Sequence, residues 1–288
     1  MNIIFYNPCR NGDIHVSRGY VIDMINKLPD HKFFYAQNPI YTSKDFLLKD
    51  ILKLELYTGV YNFNDNPSIT IDNDNIYINT WYGQDSFKYF ELSKSDDCSF
   101  YILHEIFRNV YKYFNLEIDT FDKYLPKINF ENIKLDMIDN FLEKINVFDK
   151  KILLCTNPVH SGQSQNFDFN PIINVIASEY PNYAFITTAD IQTSKNIFKM
   201  KDVIDVNCDL NETSYLSKFC DVIVGRSSGA YTFSLIDDNI NNINKKFVCF
   251  TKNKILSVAL RDGDYKSQVI WSDNYSTNNI YLKIKEAL

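Results

Sequence analysis

Apolar positions along the chain follow two rhythms, short unbroken runs and helix-spaced stripes, and the two alternate from end to end. The runs Asn2-Ile3-Ile4-Phe5-Tyr6 and Lys32-Phe33-Phe34-Tyr35-Ala36 predict strands, and Val21, Ile22, Met24, Ile25 and Leu28 between them predict a helix over 17–28. Ser43 is a suitable N-cap for a helix through Phe46, Leu47, Ile51 and Leu54. Two further runs, 68–71 and 76–80, flank Asp72-Asn73-Asp74-Asn75, which is hairpin chemistry. Helices are expected over 97–114 and 135–145, with polar 146–150 as the linker.

The second half repeats the rhythm. Strands are expected at 151–156, 183–187, 203–206, 221–225 and 246–250. Helices are expected through Ile172 to Ile176, after Asn211 as cap, from Arg226-Ser227-Ser228-Gly229 onward, and over 277–288. Short apolar strands alternating with helices imply parallel sheets covered on both faces. The reading is α/β, two Rossmann-like domains, 1–146 and 147–288, with a cleft between them. The last helix is free to pack back on the first domain.

Composition narrows the function classes. Hydrophobic residues at 45% and charged residues at 23% of 288 describe an ordinary globular chain with ample core. A net charge of −6 with no basic stripe argues against nucleic acid, and leaves peripheral membrane contact open through a local patch alone. No basic, then apolar leader and no membrane-length apolar run occurs, so a cytoplasmic protein is expected. The six cysteines form no C-x-x-C pair and read as reduced thiols.

Candidate chemistry gathers at two loops that share an Asn-Pro start after a strand. These are Asn7-Pro8-Cys9-Arg10-Asn11-Gly12-Asp13-Ile14-His15 and Asn157-Pro158-Val159-His160-Ser161-Gly162-Gln163. Open α/β sheets bind ligands at such carboxyl ends of strands. In the first loop, Asp13 is placed to act as a general base or to cap the next helix. His15 suits a substrate hydroxyl or the surface. His160, Ser161, Gly162 and Gln163 suit a sugar or a diphosphate, or make a turn. Arg226-Ser227-Ser228-Gly229 follows a strand and opens a helix, which is either an anion site or a Ser cap. Of the five arginines, Arg10, Arg18 and Arg226 flank these loops, and Arg suits bidentate anion contacts. Trp81-Tyr82-Gly83-Gln84 puts an aromatic and an amide after a strand, to stack on a sugar ring or to fill a core.

Other motifs fail. His104-Glu105-Ile106-Phe107-Arg108 has arginine where a zinc site needs its second histidine. Asp72-Asn73-Asp74 and Asp262-Gly263-Asp264 match D-x-D but read as turns. P-loop, G-x-G-x-x-G and G-x-S-x-G patterns are absent. Neither a metal nor a cofactor is expected.

With these loops the chain resembles two-Rossmann (GT-B) glycosyltransferases, nearest to the heptosyltransferase-like group that uses ADP-heptose. The resemblance rests on Gly12-Asp13 after the first strand, the Asn157 to Gln163 loop, and the Asp221 to Gly229 strand-turn-helix. It implies Asp13 as the base and a donor diphosphate held at Ser227, Ser228 and Gly229. The group's acidic residue before the Ser/Thr-Gly pair is Ser227 here, its histidine three residues after the glycine is Thr232, and its lysine in the loop opening the second domain is not evident.

The expected activity is inverting, metal-independent transfer of a hexosyl or heptosyl unit from a nucleotide-diphosphate sugar to a glycan or other hydroxyl acceptor. His160, Ser161, Gly162, Gln163 and Arg226 to Gly229 form the donor side. Gly12, His15, Arg18, Trp81, Tyr82 and Gln84 form the acceptor side. Alternatives are a nucleotide-sugar 2-epimerase and a catalytically degenerate binding protein of the same fold.

Overall fold

The structure, a computed structural model, describes residues 1–40, 42, 46–61, 67–83, 99–160, 162–191, 194–204 and 209–288, the side chains of 255 and 256 excepted. The chain forms two compact units, Met1–Ile133 and Lys134–Leu288.

The first unit is built on a sheet of β1 (Asn2–Asn7), β2 (Lys32–Gln37), β3 (Leu54–Leu56), β4 (Ile69–Asp72) and β5 (Asn75–Asn79), in the order β3-β2-β1-β5-β4. All neighbours are parallel except the β4–β5 hairpin. Asn73 at its turn takes a left-handed φ of 52°, which asparagine tolerates. Chain order reverses between β1 and β5, so this is the sheet's switch point.

Helix α1 (Asn11–Lys27) begins six residues before the expected start, so Gly12, Asp13 and His15 lie in the helix and not in a loop. The expected helix from Ser43 is not formed over its described part. Ser43 itself lies outside the described residues. Residues 47–50 are turns, and Leu54 instead pairs with Phe33 in β3. Gln37 Oε1 accepts the Leu47 N–H (2.7 Å) and Arg18 Nη2 donates to the Leu47 carbonyl (3.0 Å). These bonds hold the segment against β2 and α1.

Helix α2 (Ser99–Tyr113) and the 3-10 turn Phe121–Tyr124 cover α1. Tyr20 stacks between Phe107 and Tyr124, with ring centroids 4.4 and 4.3 Å away. At Gly19 the turn comes so close that an added Cβ would lie 2.0 Å from the Tyr124 carbonyl oxygen. Gly19→Ala must therefore push two backbones apart. A loss of about 1–3 kcal/mol is expected, read as a lower urea midpoint of the first unit.

The second unit holds α3 (Asp136–Ile145), β6 (Lys150–Cys155), α4 (Asn170–Glu179), β7 (Tyr183–Thr187), β8 (Ile197–Lys199), α5 (Leu210–Lys218), β9 (Val222–Arg226), α6 (Gly229–Phe233), α7 (Asp237–Ile240), β10 (Lys246–Phe250), β11 (Gln268–Ser272) and α8 (Thr277–Ala287). Its sheet runs β11-β10-β9-β6-β7-β8, all parallel. This is the doubly wound dinucleotide-binding order, whose switch point lies between β6 and β9.

Alternate residues serve opposite faces. Ile152, Leu154, Val222, Val224 and Val248 pack with α4 and α8, and α8 puts Ile280, Ile284 and Ala287 into this core. On the other face Tyr231 of α6 stands against Phe247. Cys155, Cys220 and Cys249 are buried thiols, held well above the ordinary thiol range by burial. Two corrections concern short elements. Val203 and Ile204 follow a 3-10 turn and are not strand, and the strand beside β7 is Ile197–Lys199. Asp209, not Asn211, is the N-cap of α5, and Asn211 is buried within the helix. No helix among the described residues is long and apolar enough to cross a membrane.

Candidate functional site

In the first unit, β1 and β5 leave the sheet side by side at the switch point. Thr80 N–H donates to the Tyr6 carbonyl (2.9 Å), and Asn7 Nδ2 donates to Thr80 Oγ1 (3.3 Å). Asn7 Oδ1 accepts the Cys9 N–H (2.9 Å), so this asparagine is spent on its own turn. Asn38 at the end of β2 donates to the Pro8 carbonyl (2.9 Å). The exit of β1 is thus fixed from both neighbouring strands.

Asp13 sits on the first turn of α1, above that exit. Its Oδ2 accepts the Arg10 N–H at 3.2 Å, a capping bond, and Tyr82 is a neighbour of the same carboxylate. Burial raises the Asp13 pKa, and the hydrogen bonds and the nearby Arg10 charge oppose the rise without cancelling it. The start of α1 and the exit of β1 therefore meet at one carboxylate. A carboxylate lifted toward neutrality is suited to accept a proton.

Other acceptor-side expectations are corrected. His15 is fully buried on the inner side of α1, out of reach of a substrate hydroxyl. Arg18 is fully buried and ion-paired with Asp50, so it belongs to the unit's interior. Trp81 is half-buried, and its indole occupies the space where a Gly83 Cβ would stand, 2.5 Å from a ring atom. Gly12 is half-buried beside Asp13. Gln84 lies outside the described residues.

In the second unit, the loop after β6 meets the turn after β9. Arg226 is 3% exposed, and its guanidinium packs against both Phe167 and Phe169, 4.3 and 4.6 Å from the ring centroids. Its donors go to the carbonyls of Thr156 (2.7 Å), Asn157 (3.2 Å), Gln165 (3.2 Å) and Phe167. Arg226 is therefore the brace of this loop, not the bidentate phosphate contact that the sequence suggests. Ser228 N–H is likewise taken, by the Arg226 carbonyl at 2.7 Å.

The Ser228 side chain is different. Its Oγ is buried without a partner, as is Oδ1 of Asn157 on the facing strand exit. Ser227 is buried beside Ser228, and Gly229 opens α6. Gln163 anchors the loop tip through its carbonyl, which accepts the Lys252 N–H (2.9 Å) and Thr251 Oγ1 (3.0 Å). Gly162 takes a left-handed φ of 69° and His160 is exposed. Ser161 lies outside the described residues. Asp262 is engaged by Lys254 (2.6 Å) and Tyr265 (2.7 Å), as a turn residue would be.

One participant was missed in the sequence, the side chain of Asn157. The repeated Asn-Pro start points to Asn157. The structure separates the two copies, because Asn7 Oδ1 is satisfied and Asn157 Oδ1 is not.

No family model matches the chain. No curated protein matches it in sequence. Solved structures do match in fold. A glycosyl transferase family 9 protein from Veillonella parvula superposes with a TM-score of 0.56 at 10% identity, covering 100% of this chain and 90% of that one. An E. coli heptosyltransferase with ADP gives 0.55 at 8% identity, covering 100% of both chains. E. coli ADP-heptose LPS heptosyltransferase II gives 0.50 at 10%, covering 100% of this chain and 98% of that one. The likeness runs through both units, and the chain has the two-Rossmann, GT-B fold of these glycosyltransferases.

Proposed function

We propose that the chain is a glycosyltransferase that moves a sugar from a nucleotide-diphosphate sugar to a hydroxyl acceptor, with inversion and without a metal. The observation that carries this reading is the half-buried Asp13 carboxylate at the switch point of the first unit, its pKa raised by burial, in a chain of GT-B fold. Asp13 takes the proton of the acceptor hydroxyl as that oxygen attacks the anomeric carbon. The bond to the diphosphate breaks, and the nucleoside diphosphate leaves with the electron pair.

The second unit receives the donor at the end of β6 and β9. The unpartnered Asn157 Oδ1 and Ser228 Oγ await polar groups of a ligand there, since buried polar atoms seldom stay unpaired. His160, Gly162 and Gln163 line the same loop. Arg226 acts through the loop it braces and adds its positive charge beneath the developing negative charge.

Titration with nucleoside diphosphates and several nucleotide-diphosphate sugars, read by thermal unfolding, tests the donor site. Ser227 and Thr232 stand where the heptosyltransferase group has an acid and a histidine, so the screen spans more sugars than heptose. A ligand at a hundredfold its Kd is expected to stabilise by about 2.7 kcal/mol. If no nucleoside diphosphate raises the unfolding temperature, the reading is wrong.

A further inference from the structure

One cavity of the second unit lies apart from the loops at the ends of β6 and β9. It opens between the last turn of α3, the edge strand β8 and the 3-10 turn Met200–Asp202, and its volume is about 350 Å³. Small-ligand pockets of this size are mostly apolar, with a few polar groups that fix orientation. Phe141, Ile145, Ile197, Phe198 and Val203 make the walls. Phe198 stands edge to face with Phe141 (5.5 Å, 72°) and with Phe148 (5.8 Å, 75°). These rings form a herringbone that one more ring can extend, the geometry aromatic pairs prefer.

The charged side chains of the same lining are not equivalent. Lys199 Nζ is held by Asp190 at 2.6 Å. Lys144 on α3 and Asp202 on the 3-10 turn have no ion pair or hydrogen bond with a described residue, nor with each other. Both are exposed, while Ile145 and Ile197 are buried, so the two charges mark the mouth and the apolar walls the interior. A cation and an anion at the mouth of an apolar cavity call for a ligand with an apolar body and both charges at one end.

We propose that this cavity binds a free aromatic α-amino acid, with the ring against Phe141 and Phe198, the carboxylate at Lys144 and the ammonium at Asp202. A free amino acid carries both charges on one carbon beside its apolar body. A side chain of a partner protein brings the ring without the charges, because its amine and carboxyl are tied up in peptide bonds. A fatty acid brings the carboxylate but leaves Asp202 without a counterpart. The ligand joins the end of α3 to the edge of the sheet, and no covalent bond is made or broken. The site is built wholly within the second unit, and it stands independently of the sugar-transfer reading.

Calorimetric titration of the full chain with L-phenylalanine and L-tryptophan tests it, with methyl NMR of Ile145, Ile197 and Val203 to place the ligand. Both amino acids are expected to bind saturably and to shift those methyl signals. Phenylpropionate lacks the ammonium and phenethylamine lacks the carboxylate. Each should bind about threefold more weakly than L-phenylalanine, the worth of one exposed ion pair. L-Leucine should also bind more weakly, since it lacks the ring. Lys144→Gln and Asp202→Asn change exposed side chains and should each weaken L-phenylalanine by the same factor. Lys144→Gln should leave phenethylamine binding as in wild type, and Asp202→Asn should leave phenylpropionate binding as in wild type.

No saturable binding of either aromatic amino acid overturns the proposal. Binding that is unchanged in both variants, or that leaves the three residues' methyl signals in place, overturns it too, because the ligand then sits elsewhere. Phenylpropionate or L-leucine binding as tightly as L-phenylalanine overturns the amino-acid or the aromatic assignment respectively.

Discussion

Asp13→Asn is expected to lower sugar transfer by about 10²–10⁴-fold, the usual contribution of a general base, while leaving the fold at least as stable at pH 7. The two effects share one cause. Burial raises the Asp13 pKa in the folded protein above its ordinary value, so the folded chain holds that proton more tightly than the unfolded chain does. The stability linked to the proton is present at low pH and is lost as pH rises through the raised pKa. Ionising this carboxylate is thus a cost to the fold. Asparagine never ionises, and its Oδ1 can still accept the Arg10 N–H that caps α1. Unfolding of wild type and variant at pH 7 and at pH 3 checks the stability half. The variant should unfold at an equal or higher urea concentration at pH 7, and the gap should narrow at pH 3. A variant that keeps the wild-type transfer rate removes Asp13 from the mechanism.

Arg18→Met is expected to destabilise the first unit by about 3–5 kcal/mol, because it strands a buried charge. Arg18 and Asp50 are ion-paired with both side chains fully buried. Asp50 Oδ2 also accepts the Asn129 N–H (3.1 Å), and the Asp50 carbonyl accepts Asn132 Nδ2 (2.8 Å). The pair therefore joins α1, the turns at 47–50 and the segment around 129–132. Methionine fills much of the volume but leaves the Asp50 carboxylate with a single main-chain donor for its charge. Removing both charges, as Arg18→Met with Asp50→Leu, should recover part of the loss, since the desolvation cost then vanishes. Urea unfolding of both variants measures this. Equal midpoints for Arg18→Met and wild type would show that the pair is not buried as described.

Much of the fold was legible as rhythm. The strands at 2–6, 32–36, 151–156, 183–187 and 246–250 are unbroken apolar runs, and the hairpin is marked by its Asp-Asn turn. The parts that were not legible share a physical reason, namely partners far away in sequence. The start of α1 reads as loop because His15, Ser17 and Arg18 interrupt the apolar stripe, yet all three are fully buried. Arg18 can be buried there because Asp50, 32 residues on, neutralises it. The segment at 46–54 has helical spacing but is held as turns by Gln37 and Arg18. Strands β3 and β8 have three residues each, too few to show alternation, and β11 went unread between polar flanks.

The candidate site shows the same division. Asp13 was legible from its place after the first strand, whereas the approach of Tyr82 from beyond β5 carries no local signature. Arg226 was legible as an important cation but not as a brace. Its acceptors are main-chain carbonyls, which every residue has, so nothing in the sequence singles them out.

That brace also fixes when the loop after β6 can take shape. Thr156 and Arg226 are 70 residues apart, and the loop's other carbonyl acceptors are about as far from the guanidinium along the chain. Beyond the local pairing of Val159 with Asn166, the loop therefore lacks its guanidinium brace until β9 has joined the sheet beside β6. Contacts of such long sequence separation form late. The loop becomes a clock for folding of the second unit, open to a protease in any chain whose β9 has not docked, and shut once it has.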